Sequence, residues 1–240
     1  MDARTLMQLK PELTRFLHRF DDCFGRVTTR RYLSLYVEGQ LSDLPRKSIE
    51  PMADAFGEPP RNLQEFLGLF RWDERAVRDR LEQQVAAGHG SPHSVGVIDE
   101  TSFVKKGNKT ACVQRQHCGA VGKIENCVVS VHLGYATPEF YSLIDGELFL
   151  PENTWQQDRE RCRQAGIPEE VVYRPKWQIA LDQYRRAVAN SVRFAWLTFD
   201  EGYGSKVPFL QALEGLGQTY VAEVPTSFPV WTKRPTVLYR

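Results

Sequence analysis

Two stretches decide the fold of this chain: Ser94-Val-Gly-Val-Ile-Asp-Glu100 and Phe194-Ala-Trp-Leu-Thr-Phe-Asp-Glu-Gly202. Each runs through apolar residues typical of a buried strand and then reaches an aspartate, Asp99 or Asp200. We therefore expect each aspartate at the exit of a strand. Either one alone reads as an ordinary solvated strand end, so a functional interpretation depends on whether the two strands are neighbours.

The residue pattern between and around these stretches predicts a mixed α/β region. Strands are expected at 95–99, 127–135, 140–150, 194–200 and 219–224, helices at 155–165, 176–189 and 206–216, and a basic turn at 103–109. The order is a three-stranded meander followed by helix, strand, helix and strand. Alternation within the fourth strand predicts that Trp196 packs in the core.

The order of elements predicts that the two aspartates meet. If the first strand is central and pairs in parallel with strand 194–200, the right-handed crossover rule places the connecting helix on one face of the sheet. Asp99 and Asp200 then emerge at the same edge, about 5 Å apart. Two carboxylates at that separation can share a divalent metal ion of the kind that supports phosphodiester chemistry.

The first 87 residues have a helical pattern and form a predicted all-α region, followed by a linker at 88–94 and a sheet domain at 95–240. Basic residues cluster on and between its second and third helices: Arg26, Arg30, Arg31, Arg46 and Lys47. Such a cluster could contact DNA phosphates, with Arg46 and Lys47 as candidates, or form a solvated helix face. Both interpretations remain open at the level of sequence.

Composition and residue spacing argue against a membrane protein and a zinc protein, and they give no indication of a nucleic-acid partner. The 31 basic and 30 acidic residues give a net charge of +1, so bulk charge does not indicate a nucleic-acid partner. No apolar run is long enough for a membrane span and the start lacks a signal-peptide layout, so we expect a cytoplasmic protein without membrane contact. The five cysteines are irregularly spaced and fit reduced, buried thiols better than zinc ligands, even around Cys112, His117, Cys118 and Cys127.

Five motifs in order carry a family resemblance. They are Tyr36-Val-Glu-Gly-Gln-Leu-Ser-Asp-Leu-Pro-Arg-Lys47, Ile98-Asp-Glu-Thr-Ser-Phe-Val-Lys-Lys-Gly107, Val113-Gln-Arg-Gln-His-Cys-Gly119, Leu148-Phe-Leu-Pro151 and Thr198-Phe-Asp-Glu-Gly-Tyr-Gly204. On these motifs the chain resembles the IS701 family of bacterial insertion-sequence transposases, which carry a DDE superfamily endonuclease domain. The resemblance implies an α/β, ribonuclease H-like mixed sheet flanked by helices and preceded by an all-α region.

The resemblance also implies a chemistry and its residues. Asp99 and Asp200 match the first two acids of the D, D, E triad, with Asp99 bridging two Mg²⁺ (or Mn²⁺) ions and Asp200 holding one. The reaction is cleavage that frees a 3′ end of the insertion sequence, followed by attack of that 3′ hydroxyl on target DNA. The partners are double-stranded DNA, at the transposon ends and the target, and a second copy of the chain in a homodimer.

Basic residues after the first acid are predicted to hold the DNA backbone beside the metals. They are Lys105, Lys106, Lys109 and Arg115, which could instead belong to an ordinary hairpin tip. The DNA interpretation assumes that this tip lies near Asp99. Glu100 and Glu201 are expected to point away from the metals, because strand alternation turns consecutive side chains to opposite faces.

The third acid of the triad is expected on a helix after the fifth strand. Glu214 and Glu223 do not occupy that place, so the chain is interpreted as a truncated transposase that lacks the third carboxylate. Two alternatives stay open: a DNA-binding remnant that regulates transposition without cutting, and a metal-free structural protein on the same scaffold. A remnant would bind DNA without metal, whereas a structural protein would bind neither.

Overall fold

The computed structural model describes residues 3–230, 233 and 236, with side chains from residue 9 onward. It divides into two compact units, Met1–Leu81 and Glu82–Arg240. The division falls inside a helix, because the last turns of that helix place Val85 and Ala86 in the core of the second unit. The helix continues through residues 88 and 89, which were expected to belong to the linker. The end of the predicted catalytic domain, 237–240, lies outside the described residues.

The first unit is helical. Its helices are α1 (Ala3–His18), α2 (Val27–Leu41), α3 (Ile49–Ala55), α4 (Pro60–Gly68) and the start of α5 (Glu74–His89), with a 3₁₀ turn at Asp21–Cys23. Aromatic side chains fill its core. The centre of the Trp72 ring lies 6.2 Å from that of Phe66 and 5.4 Å from that of Phe24. Apolar residues at helical spacing supply this core, although Leu9 and Phe16 of α1 remain 49% and 38% exposed.

The second unit is built on a six-stranded sheet. Its strands are β1 (Val95–Val104), β2 (Gln114–Cys118), β3 (Lys123–Ala136), β4 (Tyr141–Leu148), β5 (Trp196–Phe199) and β6 (Tyr220–Ala222). Its further helices are α6 (Arg159–Gln164), α7 (Lys176–Ala189), α8 (Glu201–Gly204) and α9 (Val207–Gly215), with a π turn at Glu152–Gln156.

The strands follow the order β2-β3-β1-β5-β6, and β4 also pairs with β3. β1 lies between β3, with which it is antiparallel, and β5, with which it is parallel. β6 continues the parallel pairing. A central first strand with an antiparallel meander on one side and parallel strands on the other confirms the predicted ribonuclease H-like mixed sheet preceded by a helical region.

The sheet has one buried face and one largely exposed face. Ile98, Leu133 and Leu197 are at most 1% exposed and pack with α7 and α9 residues in the main core. On the opposite face Val97, Trp196 and Val221 are 39–60% exposed. The prediction that Trp196 packs in the core is wrong, because its side chain is 48% exposed. The residues of this strand do alternate between the two faces, but Leu197 rather than Trp196 faces the core.

Local boundaries also differ from the sequence predictions. β1 runs to Val104, so Asp99 lies within the strand rather than at its exit. β2 was not predicted, because its sequence, Gln-Arg-Gln-His-Cys, is almost wholly polar. The predicted helix at 155–165 is a π turn followed by α6, whose first turn is capped by Asp158. No described helix is long and apolar enough to cross a membrane.

Candidate metal site

The parallel register of β1 and β5 brings the two aspartates together. Their last paired residues are Ile98 and Phe199, so Asp99 and Asp200 are the next residues on the two strands. Neighbouring strands lie roughly 5 Å apart, so both carboxylates start from the same row of the sheet. β1 itself continues past this row because its antiparallel pairing with β3 extends to Val104. Asp99 is therefore the first residue beyond the parallel pairing with β5, although its own strand continues.

Asp200 also begins a helix. Its Oδ1 accepts a hydrogen bond from the backbone N–H of Gly202 at 3.0 Å, which caps the single turn of α8. The turn is packed closely against the chain that leaves β6: a Cβ on Gly204 would lie 1.9 Å from the carbonyl oxygen of Glu223. Glycine at 204 thus allows α8 to fold back directly after β5, which fixes the direction of Asp200.

Both aspartates are exposed, and each uses one oxygen locally. Oδ1 of Asp99 accepts from the backbone N–H of Glu100 at 2.7 Å, as Oδ1 of Asp200 does from Gly202. Within the described residues, Oδ2 of neither side chain has a hydrogen-bond partner in the protein. Two hard oxygen atoms are therefore available to a ligand on adjacent strand positions.

Glu100 points to the opposite side of β1 and is held by two side chains. It forms an ion pair with Lys176, the first residue of α7, and accepts a hydrogen bond from the Tyr203 hydroxyl at 3.3 Å. Tyr203 is 1% exposed. Its burial, and after that the negative charges of Glu100, Asp200 and Asp99, raise the pKa of the Tyr203 hydroxyl far above its ordinary value. The hydroxyl therefore stays protonated and acts as a donor.

His132 is a neighbour of the site that the sequence did not reveal. It lies directly opposite Asp99 on β3, and one of its ring nitrogens, Nε2, is 2.7 Å from the Ser130 hydroxyl. A Cβ on Gly146 would lie 2.7 Å from Nδ1, so the ring extends over β4. The only signal for this placement is the strand register, which a single sequence does not fix.

The basic residues predicted near the metals are not brought to Asp99. Lys105 follows the end of β1, about 20 Å along the strand from Asp99, with Lys106 and Lys109 in the same loop. The assumption that this hairpin tip lies near Asp99 is wrong, because β1 is longer than predicted. The side-chain amide of Asn126 stabilises the loop by donating hydrogen bonds to the carbonyl oxygens of Lys105 and Gly107, each at 2.8 Å.

The remaining predicted basic residues are exposed. Arg115 lies on β2 and approaches Glu125 at 4.0 Å. Arg46 and Lys47 lie in the first unit, in the connection between α2 and α3. Their exposure leaves the guanidinium and ammonium groups accessible to a polyanion.

The cysteines do not form a metal site in the described part of the chain. All five are free and buried. Burial, with a smaller contribution from Cys162, raises the pKa of the Cys112 thiol to about 11. The burial of all five cysteines agrees with the prediction that they are buried small hydrophobes.

A family model described as a DDE superfamily endonuclease matches residues 19–239. The chain belongs to this family. A curated relative of this chain is the probable transposase for insertion sequence element IS701 from Microchaete diplosiphon, which is 32% identical over 189 residues. The match covers 78% of this chain and 46% of the relative, so the chain spans about half the length of that protein.

This chain also matches two solved structures at 12% sequence identity, each over 82% of this chain and 60% of the other. They are the Mos1 mariner paired end complex with Mn, at a TM-score of 0.22, and a pre-cleavage Mos1 transpososome, at 0.19. These scores are too low to support any argument about the site.

Membership of the DDE superfamily implies dependence on a divalent metal, and the donors at this site can be tested against that. Asp99 and Asp200 supply exposed carboxylate oxygens from one row of the sheet, which suits Mg²⁺ or Mn²⁺ with water completing the coordination. Among the described residues no group of three His, Cys, Asp or Glu side chains is placed to hold a metal. Glu214 lies in α9, where it accepts from the Tyr220 hydroxyl at 3.0 Å, and Glu223 follows β6.

Proposed function

We propose that this chain carries the first two carboxylates of a transposase that cleaves the 3′ ends of an insertion sequence and transfers them to target DNA. The observation that carries the proposal is the β1/β5 register, which makes Asp99 and Asp200 adjacent although they are distant in sequence. Family membership and the IS701 relative supply the reaction class.

In this proposal each aspartate has a defined role. Asp99, between β3 and β5, would contribute its carboxylate to both metal ions, and Asp200, fixed by the α8 cap, would contribute its carboxylate to one. Two such ions, Mg²⁺ or Mn²⁺, neutralise charge on the scissile phosphate and stabilise the attacking and leaving oxygens when bound. The two carboxylates would fix the positions of the ions, and no covalent bond between protein and DNA would be needed.

The proposed partners are double-stranded DNA and a second copy of the chain. Lys106, Lys109 and Arg115, together with the half-buried Lys105, form a basic surface at the far end of β1, where they contact the DNA backbone away from the cut. Arg46 and Lys47 provide phosphate contacts in the helical unit. Because the proposed substrate is DNA and the five cysteines are free thiols, we propose a cytoplasmic location.

A second function, DNA binding without cleavage, is favoured by one observation. The described residues hold two carboxylates at the site rather than three. A regulator of transposition would need the basic residues but not the metals. It would bind transposon ends equally well with and without a divalent ion.

Nicking of supercoiled plasmid in Mg²⁺ or Mn²⁺ tests the two functions together. We expect nicking by the parent chain and none by Asp99→Asn or Asp200→Asn, with unchanged DNA affinity in a gel-shift assay containing a chelator. A parent chain that binds DNA but nicks none under any metal would overturn the catalytic proposal and support the regulator. Glu170→Gln, which neutralises an exposed carboxylate in the connection between α6 and α7, serves as the matched control for nicking.

A further inference from the structure

One carboxylate connects β1, which carries Asp99, to α8, the helical turn that Asp200 caps. Glu100 follows Asp99 directly on β1, and its side chain accepts a hydrogen bond from Tyr203, which lies on the single turn of helix that Asp200 caps. The chain segments on both sides of the site are therefore joined behind it by a side-chain contact. No other described hydrogen bond links β1 to α8.

The second partner of Glu100 is Lys176, which lies at a position where a positive charge does not stabilise its own helix. Lys176 is the first residue of α7, and α7 has no acidic residue in its first turn. A cation at a helix N-terminus opposes the macrodipole. The ion pair with Glu100 compensates for this, and the ammonium group also lies 5.4 Å from the centre of the Phe149 ring. Lys176 is thus oriented toward the sheet rather than into solvent.

The contacts exclude Glu100 itself as a ligand for the metals. Its side chain projects to the face of β1 opposite that of Asp99, because consecutive residues of a strand alternate. Its two carboxylate oxygens are both engaged, Oε1 by Tyr203 and Oε2 by Lys176. A carboxylate held in this way can fix the positions of its neighbours, but neither of its oxygens is free to coordinate a metal ion.

We propose that Glu100 is a positioning residue which, held by Lys176 and Tyr203, fixes the separation of Asp99 and Asp200 for metal binding. The inference rests on the proposed function of the two aspartates. Loss of the Tyr203 hydroxyl removes the side-chain hydrogen bond between α8 and β1, and loss of the Lys176 charge removes the ion pair that holds Glu100. Either change leaves both aspartates present but disorders the distance between them.

Direct binding of Mn²⁺ alone, followed by electron paramagnetic resonance, measures this without any DNA cutting. We expect Tyr203→Phe and Glu100→Gln to weaken Mn²⁺ binding by about 10-fold or more, the range found when groups that orient metal ligands are removed. Lys176→Met should weaken it similarly, and Lys176→Arg should restore most of the affinity because it keeps the charge.

Tyr184→Phe is the matched control. Tyr184 is also buried in the second unit, and its hydroxyl donates to Gln218 at 3.0 Å, so this variant loses a comparable hydrogen bond away from the site. We expect parental Mn²⁺ affinity for Tyr184→Phe, with a urea midpoint lowered as much as that of Tyr203→Phe. Equal Mn²⁺ affinity in both phenylalanine variants would overturn the positioning role.

The outcomes separate this inference from the function on which it rests. Absence of Mn²⁺ binding by the parent, or binding that survives Asp99→Asn, would overturn the metal site itself. Binding by the parent that Asp99→Asn abolishes, but that is unchanged in Tyr203→Phe and Glu100→Gln, would leave the metal site standing and reject the positioning residue.

Discussion

The carboxylate of Asp200 accepts a hydrogen bond from the backbone N–H of Gly202, so the side chain proposed to hold a metal also caps α8. The same carboxylate therefore caps a helix and is proposed to bind a metal ion. Substitutions at 200 can separate them, because several side chains cap helices but few bind hard cations.

Replacement of Asp200 by serine should remove the chemistry and keep the fold. Serine caps a helix about as well as aspartate, so the free energy of unfolding should stay within about 0.5 kcal/mol of the parent, whereas Asp200→Ala should lose about 1 kcal/mol. Metal-dependent nicking should fall by at least about 100-fold in both variants. Urea unfolding and plasmid nicking measure the two effects. Retained nicking in Asp200→Ser would contradict the proposed role.

Alanine at Gly204 should destabilise the second unit. The new Cβ would lie 1.9 Å from the Glu223 carbonyl oxygen, so α8 or the end of β6 must move. We expect a loss of about 1–3 kcal/mol, together with weaker Mn²⁺ binding because Asp200 shifts with α8. Gly215→Ala in α9 is the control: no atom lies within 4 Å of its Cβ, and no loss of stability is expected.

The ion pair between Arg186 and Asp145 should be important for stability. Arg186 in α7 contacts Asp145 Oδ2 through Nε at 2.7 Å and Nη2 at 2.6 Å, and the Asp145 side chain is fully buried. Arg186→Met leaves that buried charge without its arginine, and we expect a loss of about 3 kcal/mol in urea unfolding. The double variant Asp145→Leu/Arg186→Met should recover much of it. Arg61→Met, which removes an exposed pair with Glu65, should change stability by less than about 0.5 kcal/mol.

Stability should fall at alkaline pH because of Cys112. Burial raises the pKa of its thiol from 9.0 to about 11, so above pH 9 the unfolded chain loses this proton while the folded chain keeps it. The stabilisation is complete below pH 9 and is lost as the pH approaches 11. Between pH 8 and 10.5 the parent should lose about 2 kcal/mol more than Cys112→Ala. Parallel pH dependence of the two proteins in urea unfolding would contradict this assignment.

The adjacency of Asp99 and Asp200 could be predicted because it follows from the order of elements. A strand, a long connection containing α7, and a second apolar strand leave a right-handed parallel crossover as the favoured arrangement. The local prediction that Asp99 ends its strand was wrong, because the next five residues pair with β3, and that pairing compensates for their low apolar content. Strand ends depend on such partners, which are distant in sequence.

Features that depend on partners across the fold were not predictable. β2 was missed because its polar residues show no apolar alternation, and its pairing with β3 alone defines it. Glu100 was correctly expected to point away from Asp99, since alternation is local. Its contacts with Lys176 and Tyr203 require three elements to be in place, and no spacing in the sequence encodes them.

The parallel pairing of β1 with β5 has a consequence for how the site comes into existence during folding. Closing this pair requires the whole intervening chain, including the β2–β4 meander and α7, and contacts of such long sequence separation form slowly. The meander can assemble around β1 first, with Asp99 exposed beside an empty strand position. A chain still emerging from the ribosome therefore lacks the proposed pair of metal ligands until residue 200 has left the ribosome and β5 has paired with β1.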